Sequence, residues 1–385
     1  MEVSLARWII VTCLVSVPTF AVVTPNPPQL NAQGYVLMDF QSGAIIAEQN
    51  GRAALAPASL TKLMTAYVVG QEIKAGRLTW EDIVTISENA WSAKFPGSSK
   101  MFIKPKDEIN VANLMRGVII QSGNDACVAL AEHIAGSERG FVALMNGWAE
   151  KLGLQDTYFV NSHGLDSEGI QTSPNDMAKL MQAIINDVPD VYALYSEKVF
   201  KWNDITQYNR NKLLWDNSID VDGGKTGYTS NAGYSLVSSA KEGKMRLISV
   251  VMGTPSKQSR ASQSKNLLSY GFRFYDTKLV AKQGQVESKV RVWKGDTKEV
   301  EAIFASDVYL TLPRAMTARL DKSVVLNEPL FAPIAQGDEI GKVLWKDDGN
   351  TVASYPLVSN QVVEEGAWFG QIWDSLVLWV TSFFN

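Results

Sequence analysis

Thiol and imidazole chemistry have almost no material in this chain, because its 385 residues hold two cysteines and two histidines. Cys13 lies in an apolar run near the start that is expected to leave with a cleaved leader. Cys127 would then be the single thiol of the mature chain, which excludes an intramolecular disulfide. Cys127 follows Asp125 and Ala126 on an apolar helical pattern and reads as a small buried hydrophobe. No cluster of His, Cys and carboxylates has metal-ligand spacing, so neither a metal nor a cofactor is expected. Charge of one sign is lacking too: 36 basic against 40 acidic residues leave a net charge of -4, no broad basic face, and no expectation of nucleic acid as a partner.

The apolar run Trp8 to Val17 falls short of the roughly 20 residues that a membrane span needs. Arg7 precedes it, and Pro18, Thr19 and Ala21 follow, which is the order of a secretory signal. A signal peptide over residues 1–21, cleaved after Ala21, is therefore expected, with an uncleaved anchor as the alternative.

What remains is long enough for more than one core, since single cores stop growing at about 250 to 300 residues. The segment Gly34 to Glu48 alternates and turns at Gln41, Ser42 and Gly43, which predicts a hairpin. Helical spacing follows from Leu60 through Val68, and again over Val111 to Gln121, Ala126 to Ala135, Phe141 to Leu152 and Pro174 to Asp187. From Val221 the pattern turns to strands, Gly233 to Ser239 and Arg246 to Met252, with Lys241 to Gly243 as their turn, before a closing helix from Ser259 to Phe274. The fold class is α+β, with strands from both ends of the domain sharing one antiparallel sheet flanked by helices. Beyond a boundary near Asp276, short runs such as Lys289 to Trp293, Val308 to Leu312 and Lys342 to Trp345 predict a small all-β domain. The expected division is 22–276 catalytic, 277–364 all-β and 365–385 a C-terminal helix.

Ser-x-x-Lys occurs three times, at Ser59, Ser238 and Ser262. Only Ser59 opens a predicted helix, where one turn brings the Lys62 amine beside the hydroxyl and the helix N-terminus favours developing negative charge. Alone, Ser59 would read as a helix cap. Ser-x-Asn occurs four times; Ser87 and Ser173 suit caps and Ser264 sits within a helix, whereas Ser122 and Asn124 fall in a loop between helices. Lys-Thr-Gly occurs once, as Lys225, Thr226 and Gly227, placed at the beginning of a strand pattern. The three motifs in this order are the set used by class A β-lactamases and penicillin-binding proteins.

These residues, with the stretches QSGNDA (121–126), HGLD (163–166), NRNKLLWDN (209–217) and YGFRF (270–274), resemble the low-molecular-mass penicillin-binding D-alanyl-D-alanine carboxypeptidases of the type 5 and type 6 group. The resemblance covers essentially the whole chain. It implies a penicillin-binding/β-lactamase-like catalytic domain, a sandwich-like all-β domain and an amphipathic anchor. It implies removal of the terminal D-alanine from peptidoglycan stem peptides ending in D-Ala-D-Ala, a part in cell-wall remodelling and shape, and covalent inhibition by β-lactams.

Ser59 is then the nucleophile, and Lys62 the base that a neutral hydroxyl needs within hydrogen-bond reach. Burial beside a second cation, Lys225, is expected to free the Lys62 amine. Ser122 would relay a proton to the leaving nitrogen, and Asn124 would hold Lys62 and the substrate amide. By resemblance, Thr226 and Arg260 bind the terminal carboxylate, with Arg210 as a second candidate. The backbone N–H groups of Ser59 and Tyr228 would form the oxyanion hole beside Gly227. Many relatives have His where this chain has Tyr228, which leaves the deacylation rate and its pH profile open. His163 and His133 are read as structural.

From Ala367 on, Gln371, Asp374, Ser375, Ser382 and Asn385 share one narrow helical face, while Trp368, Phe369, Ile372, Trp373, Leu376, Trp379, Val380, Phe383 and Phe384 cover the rest. Such a helix is expected to lie in the membrane interface, at the periplasmic face of the inner membrane. A β-lactamase-like hydrolase is the nearest alternative, and no Glu-x-x-Leu-Asn or Glu-x-x-Ile-Asn stretch is present to place its deacylating water. A non-catalytic peptidoglycan or membrane scaffold would not need complete motifs.

Overall fold

The structure, a computed structural model, describes residues 24–314, 316 and 320–381. The expected leader and the residues from Ser382 on lie outside the described residues. Strand Met245–Thr254, rich in β-branched residues, runs through the middle of a five-stranded antiparallel sheet. Gly34–Asp39 and then Ile45–Gln49 lie on one side of it, Gly233–Glu242 and then Asp220–Thr229 on the other. Strands from both ends of the domain thus share one sheet. Because side chains alternate along a strand, the sheet feeds two cores. Val36, Met38, Ile248 and Val250 pack with Leu63 and Tyr67 under the helical lobe. Leu37, Leu247 and Val251 pack on the other face against Leu267, Leu268 and Phe272 of helix Lys257–Phe274.

Local chemistry sets the helix starts. Ser173 accepts from the Asp176 N–H and Pro174 occupies the first turn of Pro174–Asp187, while Ser256 accepts from Ser259 ahead of Lys257. Three expectations shift. The run Val111 to Gln121 is an α-helix only to Arg116, and Gly117–Gln121 widens into a π-turn. Lys225 to Gly227 lie in the second half of strand Asp220–Thr229, since pairing already begins at Asp220 opposite Lys241. Lys241 and Glu242 stay in the ladder opposite Arg246 and Met245, so the turn falls at Gly243 and Lys244.

After Phe274 the chain passes directly into strand Tyr275–Ala281, which pairs with Val308–Pro313. Six further strands form one sheet around Val290, Val292, Phe304, Val343, Trp345 and Leu357. The buried Asp39 carboxylate ties this part to the first hairpin by accepting from Thr277 Oγ1 at 2.7 Å. Helix Trp368–Thr381 closes the described chain. On its polar edge Asp374 does not face solvent: it is 6% exposed and accepts from the Lys294 N–H at 2.7 Å, with Arg291 3.7 Å away, whereas Ser375 is exposed. The apolar face is turned outward, with Trp368, Phe369, Ile372, Trp373, Leu376 and Trp379 exposed.

Candidate active site

Ser59 sits in a 3-10 turn, Ala58–Thr61, that runs into helix Lys62–Lys74. Ala58 is held at φ 47°, a left-handed conformation that a residue with a Cβ adopts only at a cost. One turn on, Lys62 is completely buried. Its Nζ lies 3.2 Å from Ser59 Oγ, 2.7 Å from Asn124 Oδ1 and 2.5 Å from the main-chain oxygen of His163. The last two atoms can only accept. A neutral amine must therefore spend both its N–H bonds on them, which leaves its lone pair facing the Ser59 hydroxyl. Burial lowers the Lys62 pKa to about 8, and nearby Arg210 acts the same way, against Cys127 and Asp125. The second cation at work on Lys62 is thus Arg210, whereas the effect between the two lysines is felt at Lys225, whose pKa burial and Lys62 push well below the usual value.

Ser122 ends the π-turn at φ 60°, ψ 36°, and Gly123 separates it from helix Asn124–Ala135. Gly117, which opens that turn, packs so closely on Met101 that a Cβ there would collide with the sulfur. The turn points the Ser122 hydroxyl to Lys225, whose Nζ donates to it at 2.8 Å. Asn124 spends its oxygen on Lys62 and its amide group on Ser98 Oγ, 2.9 Å away.

The far end of strand Asp220–Thr229 lies against the serine turn. A Cβ on Gly227 would stand 3.0 Å from Pro57 O and 3.4 Å from Ala58 Cβ, so a side chain at the third residue of Lys-Thr-Gly would press on the serine turn. Arg260 reaches over from helix Lys257–Phe274 and donates to Gly227 O at 3.2 Å, with its guanidinium above the Tyr234 ring. Burial and Arg210 lower its pKa to about 10. Tyr228 is half exposed and stacks on Tyr234 at 4.2 Å between centroids. Arg210 donates to Ser99 Oγ at 2.5 Å. Ser59, Asn124, Arg210, Thr226, Tyr228 and Arg260 line one cleft of about 780 Å³, and Lys62, Ser122 and Lys225 lie buried beneath it. All ten residues singled out in the sequence therefore converge.

His163 is buried, and its Nδ1 accepts the Leu165 N–H at 3.2 Å, which puts the ring proton on Nε2, 3.6 Å from Glu138 Oε1. Burial and Lys62 drop its pKa to about 3, so it is neutral at working pH. Its contribution to the site is its main-chain oxygen, which a reading of side chains does not detect. Ser98, Ser99 and Tyr234 are further neighbours that sit in no motif. Cys127 is buried, its Sγ donates to Gly123 O at 3.2 Å, and burial pushes its thiol up to about 12. Among the described residues, no group of three or more His, Cys, Asp or Glu could hold a metal ion.

Residues 21–256 match the family model described as D-alanyl-D-alanine carboxypeptidase. Residues 275–365 match the one described as penicillin-binding protein 5, C-terminal domain. The D-alanyl-D-alanine carboxypeptidase DacA of Escherichia coli K12 is 47% identical over 365 residues, which cover 94% of this chain and 91% of the relative. DacC of the same strain is 45% identical over 370 residues, 94% of this chain and 92% of the relative. The crystal structure of penicillin binding protein 5 from Haemophilus influenzae superposes with a TM-score of 0.85 at 47% identity, over 89% of this chain and 100% of that one.

Proposed function

This chain belongs to the D-alanyl-D-alanine carboxypeptidase family, a serine hydrolase family of penicillin-binding proteins, and from that premise we propose that Ser59 carries the acyl group. The protein is a D-alanyl-D-alanine carboxypeptidase that acts on peptidoglycan stem peptides and binds β-lactams. Lys62 takes the proton as Ser59 Oγ attacks the carbonyl of the penultimate D-alanine. The backbone N–H groups of Ser59 and Tyr228 receive the oxyanion. Ser122, polarised by Lys225, returns a proton to the departing D-alanine nitrogen as the C–N bond breaks, and water then releases the shortened peptide. Thr226 and Arg260 hold the terminal carboxylate, and Arg210, on the same cleft, adds positive field. Asn124 orients the substrate amide.

The observation that carries these roles is the Lys62 environment, in which two obligate acceptors aim the amine lone pair at Ser59. The test is incubation with a D-Ala-D-Ala peptide and with penicillin, followed by adduct mapping by mass spectrometry. D-alanine release and a penicilloyl group on Ser59 are expected; an adduct elsewhere, or none, overturns the assignment.

We also propose that the enzyme is exported behind a cleaved leader and sits peripherally at the periplasmic face of the inner membrane through helix Trp368–Thr381. The outward apolar face supports this reading, and among the described residues no helix is long and apolar enough to cross a membrane.

A further inference from the structure

One wall of the cleft, residues 97–103, has no helix or strand of its own to hold it. It nevertheless supplies Ser98 to Asn124 and Ser99 to Arg210, so its position decides where two cleft side chains point. Beside Asn124, on the next residue of the same helix, stands a completely buried carboxylate that the chemistry above does not use. Asp125 accepts the Met101 N–H with both oxygens, at 2.8 and 2.9 Å, the Phe102 N–H at 3.0 Å and the Ile103 N–H at 3.4 Å. It also accepts the N–H of Ala126 at 2.9 Å. Three consecutive main-chain N–H groups turned toward one anion form a concavity of the kind that otherwise binds free anions. Here the acceptor is a carboxylate of the protein itself: burial raises its pKa, and the N–H groups of Met101, Ala126, Ile103 and Phe102 act against that by favouring the ionised form. Next to it the Asn124 N–H donates to Ser99 O at 2.9 Å, so residues 124 and 125 together grip the wall from Ser99 to Ile103. On its outer side the wall meets Gln207, which donates to Lys100 O at 3.2 Å, and Asn203, which donates to Phe102 O at 3.3 Å.

We infer that Asp125 is a positioning residue for acylation: its buried carboxylate clamps the 99–103 wall to the Asn124 helix and thereby holds Asn124 and Arg210 in register with Ser59. This rests on the reading of Ser59 as the acylated residue. The titratable and charged groups that face Lys62 are this carboxylate, Arg210, Lys225, the Cys127 thiol and the neutral His163, and the carboxylate opposes the lowering of the amine's pKa. An asparagine at 125 keeps the shape, but it halves the acceptor capacity, turns N–H groups toward N–H groups and removes the charge.

The experiment has three arms. In the wild-type protein, the Met101, Phe102 and Ile103 amides are expected to exchange hydrogen as slowly as those of helix Asn124–Ala135; exchange at the rate of a free loop overturns the inference and needs no variant. Asp125→Asn is expected to lower the rate constant for penicillin acylation of Ser59 by about 100-fold, the effect of misplacing a reacting array by an ångström. The acid limb of the remaining rate should move to lower pH, a shift that loss of wall position alone would not cause. In the third arm the double variant N203A/Q207A removes the outer contacts and is expected to acylate normally. If that variant loses acylation while D125N keeps it, the wall is held from outside and the inference fails. A wild-type protein without a penicilloyl adduct would refute the catalytic reading instead, with the exchange arm still deciding the clamp.

Discussion

In the proposed reaction the chemistry turns on the Lys62 amine, whose neighbours bear on both its protonation and its aim. In that proposed role the neutral amine is the active form, and burial is the main cause that lowers its pKa to about 8. Acylation is therefore expected to rise with pH up to about 8 and then level off on that limb, as measured by stopped-flow acylation with a chromogenic β-lactam. Lys62→Arg removes the only attainable lone pair, because guanidinium stays charged, and the penicilloyl adduct on Ser59 should disappear from the mass spectrum. His163 makes a second residue-scale prediction. Its folded pKa of about 3 lies below the unfolded value near 6.5, so between these values the unfolded chain binds more protons. Stability should fall as pH drops below about 6.5, and His163→Gln should flatten the upper part of that window, from pH 6.5 to 4.5, in denaturant titrations.

At the scale of elements, the site is a meeting of backbones as much as of side chains. The HGLD loop crosses the serine turn at Gly164, which has φ +84° and no space for a Cβ because Ala58 O fills it. Strand Asp220–Thr229 approaches the same turn from the other side at Gly227. Both contacts bear on Ala58, itself held at positive φ, so the turn that presents Ser59 is wedged in place. Gly164→Ala should open that wedge. The left-handed backbone alone costs of order 1 to 3 kcal/mol, and the collision moves His163 O away from Lys62. The thermal midpoint should fall and acylation of Ser59 should drop by more than tenfold; an unchanged acylation rate would show that the loop is dispensable to the amine. In the sequence the HGLD stretch held a histidine read as structural, and in the structure its main-chain oxygen and its glycine are what touch the site.

For the molecule as a whole, the arrangement of the C-terminal helix is the feature with consequences. Periodicity separated its polar and apolar faces and put Asp374 on the polar one, without saying what that residue meets. In the structure Asp374 is buried against the Lys294 N–H, so this residue fastens the helix to the all-β domain and the aromatic face is left to the outside. Removal of residues 366–385 is expected to abolish sedimentation with phospholipid vesicles while kcat/KM on a soluble D-Ala-D-Ala peptide stays within twofold of the full chain. Retained sedimentation would mean that another surface binds the bilayer.

The sequence by itself determined the α+β class, the shared sheet, the all-β second part and the three motifs, and its resemblance to a known family added Arg210, Tyr228 and Arg260 to the residues that come together at the cleft. Motif side chains carry their chemistry in their own type and spacing, and Ser59 with Lys62 needs only one helical turn to come together. Tertiary structure alone decided that His163 acts through its main-chain oxygen, that Arg210 bears on Lys62, that Asp125 grips the cleft wall and that Asp374 turns inward. Those contacts join residues 22 to 148 positions apart, or use main-chain atoms that are the same in every residue, so no local pattern marks them. The π-turn at Gly117–Gln121 belongs with them: its apolar spacing is that of an ordinary helix, and its widening comes with the close approach of Met101 to Gly117, 16 residues earlier in the chain.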